Sequence, residues 1–378
     1  MKTIQRTLCS ILLLLVLVSA PGVAHADQPE WQDVGGDINN TVWASTVDVQ
    51  GTLYLGGDFT INPAGARAGY VSRLVNGVWE TQGYGTDGAV LSLFAVDPQY
   101  IYTGGVFSNI IREQINKKVN RVVRFDGHGW EYVGAGANNI VWAVAANNRN
   151  NVFVGGSFTK VTNYNGKAVG ANYIARWDGK QWYNLKTGLN GIVRAIAVAP
   201  DGTMYAGGTF TKAGGYSAKN IAKWNGKNWS PVGSGVNGGV RALQFDASGR
   251  LLVGGNFTSA GGNPANGLAV WDGKAWSTLG TGVTTNGTAG TVYSIQVAAN
   301  NDVFIGGTFL DVNGIRVNNV ARWDGTAWNS LGNGIADKVY TIALDKTNNK
   351  LYAAGGFQKD GSQTIPLNRV AVFDLANK

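Results

Sequence analysis

WYNLKTGLNGIVRAIAVAPDGTMYAGGTFTKAGGYSAKNIAKWNGKNW, residues 182–229, is the stretch from which the fold is read. Val193–Val198 alternates in the period of two that a half-buried strand requires, and Thr203–Phe210 is a second apolar run that passes through a diglycine. Pro200-Asp201-Gly202 supplies the turn between them. Ile221–Trp224 and Trp229–Val232 form a second pair, joined by Asn225-Gly226-Lys227. The pattern predicts four short antiparallel strands, a to d, and no amphipathic helix.

The same unit recurs along the chain. Diglycines start at Gly56, Gly104, Gly155, Gly207, Gly254, Gly306 and Gly355, spaced by 47 to 52 residues. Four-stranded units repeated at about 50 residues are the sequence signature of propeller blades. The fold class read here is all-β, a seven-bladed β-propeller with four-stranded antiparallel blades. The ends carry the closure. A d-strand Trp follows the c–d turn at Trp79, Trp130, Trp182, Trp229, Trp276 and Trp328, one fewer than the diglycines. The last repeat stops at a c strand, Val370–Asp374, while Trp31–Gly35 is a d strand with nothing before it. The N-terminal strand is therefore expected to complete the last blade and close the ring, which also removes an exposed edge.

GGTFTKAGG (207–215), GGNFTSAGG (254–262), IARWDGKQW (174–182) and VARWDGTAW (320–328) carry a resemblance. The diglycine followed by an aromatic and a Trp resembles the kelch repeat. The fuller pattern resembles kelch-like propellers of exported bacterial proteins and the propeller of the fungal cortical polarity-marker family. The resemblance spans 31–378, with the second repeat departing most, and implies a fold rather than a ligand.

Residues 1–26 read as an export signal: Lys2 and Arg6, an apolar run over Ser10–Ala20, then Ala24-His25-Ala26 before the cut. Residues 27–378 are then the propeller, and no later segment is apolar enough to span a membrane. The cut removes the only Cys, so packing rather than disulfides must hold an exported protein together. The expected location is secreted, periplasmic or cell-surface. The chain is 44% hydrophobic, too apolar for disorder, and its 55 Gly have no three-residue period, which excludes collagen. Its basic excess, 31 Lys and Arg against 23 Asp and Glu, is dispersed and forms no nucleic-acid groove.

Comparing the repeats with one another separates framework from candidates. Eleven of the 13 Trp fit the template as blade packing. The turn acids Asp126, Asp178, Asp272 and Asp324 are replaced by Asn76 and Asn225 in other repeats, which keeps a turn and loses an acid. The basic residue of strand c (Arg73, Arg124, Arg176, Lys223, Arg322) reads as structural. One column behaves differently. The middle residue of V-x-[AST] in strand a is Trp43, Leu91, Trp142, Arg194, Arg241, Tyr293 and Tyr340, between flanks that stay constant. Strand a is innermost in a propeller, so this column is expected to ring the central channel on the face of the longer loops. Trp43, Trp142, Arg194, Arg241, Tyr293 and Tyr340 are the candidate ligand-binding residues, since aromatic planes and guanidinium groups suit a sugar or an anionic glycan. The alternative is that the column fills the wedge between blades. The b–c connections, Ile110–Lys118 and Val161–Lys167 among them, are expected as solvated loops.

The catalytic vocabulary is thin. His128 is the one His after position 26 and sits in a turn. There is no His/Cys metal cluster, no P-loop and no helix after a glycine-rich turn, and Asp311–Gly314 reads as a turn rather than a calcium loop. No cofactor is expected. The function read from these residues is an exported, non-catalytic binding propeller for a glycan or an extracellular or envelope protein partner. Two alternatives stay open. One is a polysaccharide-active glycosidase or lyase using two of Asp37, Asp58, Asp87, Asp311 and Asp337 on the loop-rich face. The other is a structural protein-interaction scaffold.

Overall fold

The computed structural model describes residues 29–62, 64–81, 85–97, 100–111 and 117–377. The leader assigned to 1–26 and the charged segment 112–116 of the second b–c connection lie outside these residues. The architecture is all-β and propeller-like, built mostly of four-stranded antiparallel sheets. The one helical element among the described residues is a 3₁₀ turn, Leu375–Asn377. In the repeat quoted above the strands are Ile192–Val198, Met204–Thr209, Ile221–Trp224 and Trp229–Pro231, hydrogen-bonded in that order. Sheets of the same order start at Val42, Val90, Val141, Val240 and Thr291. The sheet that starts with Val339–Asp345 takes its fourth strand from the other end of the chain. Gln32–Asp33 pairs with Val370–Asp374, Gln32 opposite Val372 and Asp33 opposite Ala371.

The diglycine has two separate physical causes. A Cβ on its first glycine would meet the strand-a Val of the following sheet: it would fall 2.3 Å from Val90 Cγ1 at Gly56, 2.4 Å from Val193 Cγ1 at Gly155 and 2.4 Å from Val240 Cγ1 at Gly207. Those valines are fully buried, each contributing about 1.5–3 kcal/mol at most. A Cβ on the second glycine would strike a carbonyl at the entry of its own strand a, 2.0 Å from Ile140 O at Gly156 and 1.9 Å from Ile192 O at Gly208. The last repeat corrects the sequence reading. Val339 pairs with Gly355 and Thr341 with Ala354, where Val42 pairs with Gly57 and Ala44 with Gly56. Its structural pair is therefore Ala354-Gly355, in a core cluster that also holds Val42. Gly356 stands one place further on.

Most d-strand indoles tie their sheet to its neighbour, Trp276 being an exception. Trp79 Nε1 donates to Val34 O (3.2 Å), Trp182 to Val133 O (3.1 Å), Trp229 to Leu185 O (2.9 Å) and Trp328 to Leu279 O (2.8 Å). Trp31 joins the same series by donating to Leu331 O at 2.9 Å. Where they are described, several b–c connections are short hairpins rather than the solvated loops expected. Lys212–Ala213 pairs with Tyr216–Ser217 and Ser259–Ala260 with Asn263–Pro264. The Ala of each T-x-A-G-G segment, Ala213 and Ala260, is buried beneath its hairpin. These hairpins are pinned from the d–a loops: Asn190 Oδ1 accepts Thr211 N and Lys212 N, and Asn39, Asn138 and Asn237 repeat the contact.

Hydroxyls join neighbouring innermost strands. Val144 N donates to Ser92 Oγ (3.0 Å), Ile342 N to Ser294 Oγ (3.1 Å) and Ser45 N to Thr341 Oγ1 (3.1 Å). The last of these links the strands at opposite ends of the repeat array. Other sheets carry Ala in this slot, so Thr341→Ala is expected to cost at the low end for a lost hydrogen bond, about 1 kcal/mol. Thr341→Ser should recover most of it. Equal urea midpoints for Thr341→Ala and the parent would contradict a joining role for this hydroxyl.

Candidate functional site

The strand-a column acquires its special character from a backbone irregularity. In each of these sheets the a–b ladder skips one residue, between Val42 and Ala44, Val90 and Ser92, Val141 and Ala143, Val193 and Ala195, Val240 and Ala242, Val292 and Ser294, and Val339 and Thr341. The skipped residue is the column residue every time. A bulge leaves one residue unpaired and re-aims its side chain. The flanking valines stay buried while the column residues are all half-buried. The valines pack against the diglycine backbone of the preceding sheet.

All six candidate residues line one cavity of about 560 Å³, together with Asp58, Ala89, Leu91 and Val106. Four pairs of them come close. Arg194 Cζ lies 4.2 Å from the Trp142 ring centroid, and Arg241 Cζ 6.0 Å from that of Tyr293. Tyr293 and Tyr340 are 5.3 Å apart, and Tyr340 and Trp43 4.3 Å. Burial, with the neighbouring Arg241 charge, pulls the Arg194 pKa below the usual guanidinium value. Burial also pushes the Tyr340 phenol up. A second cavity of about 350 Å³ continues past the column along the innermost strands, through Ser45, Ser92, Gln244, Gln296 and Thr341.

Sequence reasoning missed the partners of the two indoles. The residue after the diglycine is Asp58 in the first repeat and Ser157 in the third. Trp43 Nε1 donates to Asp58 Oδ2 (2.7 Å) and Trp142 Nε1 to Ser157 Oγ (3.0 Å). This slot varies as the column does, through Val106, Thr209, Asn256 and Thr308, and that covariation of position was the available signal.

The five candidate carboxylates are dispersed. Asp58 alone among them lines the cavity. Asp87 accepts Ser108 N (2.7 Å) and Asn109 N (2.9 Å), the work Asn190 does in its repeat. Burial raises its pKa, but those donors outweigh burial and hold it below the ordinary value. Asp311 faces Arg316 at 3.6 Å, Asp337 accepts Lys338 N, and the charge of Asp37 acts on Asp33. The turn acids are held by backbone donors, as in Lys180 N and Gln181 N to Asp178. Asn225 accepts the same pair of donors, Lys227 N and Asn228 N. His128 is exposed, its backbone N–H donating to Asp126 Oδ1. Among the described residues no group of three or more His, Cys, Asp or Glu comes together.

Fold and cavity define the class as a β-propeller. Residues 177–334 match the family model described as the Rax2 C-terminal beta propeller domain. Among chains of solved structure, the WD40 repeats of RRP9 are similar in fold, with a TM-score of 0.59 at 11% sequence identity. The match covers 92% of this chain and 100% of that one. No curated protein matches the sequence.

Proposed function

We propose that the repeat sheets are the seven blades of a closed, kelch-like propeller, residues 27–378, exported after removal of residues 1–26. The mature protein is a non-catalytic binding module, secreted, periplasmic or on the cell surface, that recognises a glycan or an extracellular partner at the mouth of its channel. One observation carries this reading: the side chains that vary among repeats are the bulged ones, and they converge on a single cavity. A cavity of this size with aromatic walls and a few polar groups is the usual build of a ligand site. Two-carboxylate hydrolysis finds one of its acids here, Asp58, and that acid is engaged by Trp43.

The double change Trp43→Ala and Trp142→Ala tests the reading on a glycan array and in pull-downs from the cell surface. Each stacked aromatic contributes on the order of 1 kcal/mol, so binding should fall at least tenfold while the β-rich fold melts cooperatively near the parent temperature. A variant that unfolds makes the column core packing. A variant that keeps full binding moves the site to the hairpins or the outer rim. The hairpins favour one further reading, a protein-interaction surface, because Tyr216 (68% exposed) and Ile315 (40%) stand at their tips.

A further inference from the structure

The mouth cavity is polarised in a way that names the chemistry of its ligand. Arg194 and Arg241 are consecutive members of the column, with Trp142 and Tyr293 on either side. Neither forms an ion pair among the described residues, and Arg241 Nε is buried with no hydrogen-bond partner. The carboxylate in the lining, Asp58, is engaged by Trp43. Two guanidinium groups that share a partly desolvated cavity, neither of them ion-paired, repel each other, an arrangement that an incoming anion relieves. The closeness is felt in the protein itself, since the Arg241 charge, after burial, holds the Arg194 pKa down. Much of the remaining wall is aromatic, with Trp43 and Tyr293 each in contact with Tyr340.

Resting on the binding reading above, we propose that the cavity takes an acidic sugar of a glycan chain. Its carboxylate or sulfate is held by Arg194 and Arg241, and its ring face lies on the wall of Trp43, Tyr293 and Tyr340. Arginine forks match carboxylate and sulfate oxygens in pairs. An inorganic anion alone would leave most of the roughly 560 Å³ and the aromatic wall unused. A neutral sugar offers hydroxyl oxygens to the guanidinium groups but leaves their paired positive charge uncompensated.

The full chain is titrated calorimetrically with an oligogalacturonate (carboxylate arm), a heparin-derived oligosaccharide (sulfate arm), cellohexaose and sodium sulfate. At least one acidic oligosaccharide should bind, more weakly as salt rises, and at least about tenfold more tightly than cellohexaose or free sulfate. Arg241→Gln and Arg194→Gln should each weaken it about tenfold or more at an unchanged melting temperature. Arg→Lys at either position should recover part of the loss, which separates a lost charge from a damaged fold. Cellohexaose binding as tightly as the acids, through Trp43 and Trp142, would overturn the charge selectivity and leave the binding module standing. Acid binding indifferent to both Arg→Gln changes, sulfate alone matching the oligosaccharides, or no oligosaccharide bound at all would overturn the proposal outright.

Discussion

Trp31→Ala is expected to lower stability by about 3–5 kcal/mol, seen as a urea midpoint well below the parent and a melting temperature lower by roughly 5–10 °C. Trp31 is 1% exposed, packs at a tilt against Phe373 with ring centroids 5.3 Å apart and donates its indole N–H to Leu331 O. Three losses coincide in one residue. The change opens a cavity, orphans a buried carbonyl and loosens the entry of the strand Gln32–Asp33 onto Val370–Asp374. Trp276→Ala is the matched control. It holds the same template slot, but it is only half-buried and its Nε1 has no acceptor. It should cost clearly less. Removing residues 27–36 goes further, because it bares the edge of Val370–Asp374, and aggregation on heating is the expected sign. If Trp31→Ala costs no more than Trp276→Ala, the indole link to Leu331 has no special weight in joining the two ends of the chain.

The strands were legible because each obeys period-two alternation between turn residues, and the Ile221–Trp224 strand falls where the letters place it. The candidate column was legible for a different reason. Repeats act as an internal alignment, so a position that varies between constant neighbours stands out. What the letters could not show is why that position is special. Val-x-Ala reads as ordinary alternation, which would send x to the opposite face of the strand from its two neighbours. The bulge that frees x lies in hydrogen-bond register, and register is set by the partner strand rather than by the residues themselves. The same limit hid the pinning role of Asn39, Asn138 and Asn190. Each acts across 21 residues of chain, from a d–a loop to a b–c hairpin. Asp87 reads as a candidate acid by its letter, while its position gives it the same hairpin contact as Asn190.

Register also yields the sharpest contrast in the molecule, between two adjacent glycines that look identical in sequence. Gly355→Ala is expected to destabilise strongly, by 3 kcal/mol or more as an order-of-magnitude figure, and Gly356→Ala to be nearly neutral. A Cβ on Gly355 would lie 2.1 Å from Lys338 O and 3.2 Å from Tyr340 N, backbone atoms held by the ladder to Val339. Relief would require separating strands Val339–Asp345 and Lys350–Gly355 next to the bulge, and so disturbing Tyr340 in the cavity wall. A Cβ on Gly356 meets only Tyr340 Cε2, at 3.8 Å, an ordinary van der Waals contact. It could even stabilise slightly by restricting the unfolded chain. Had the last repeat kept the register its letters suggest, Gly356 would be the second glycine of the pair and the order of the two effects would reverse. Urea midpoints of the two variants decide the matter: Gly356→Ala more damaging than Gly355→Ala would reject the one-residue shift. With it would go the assignment of Ala354 to the slot facing the first sheet.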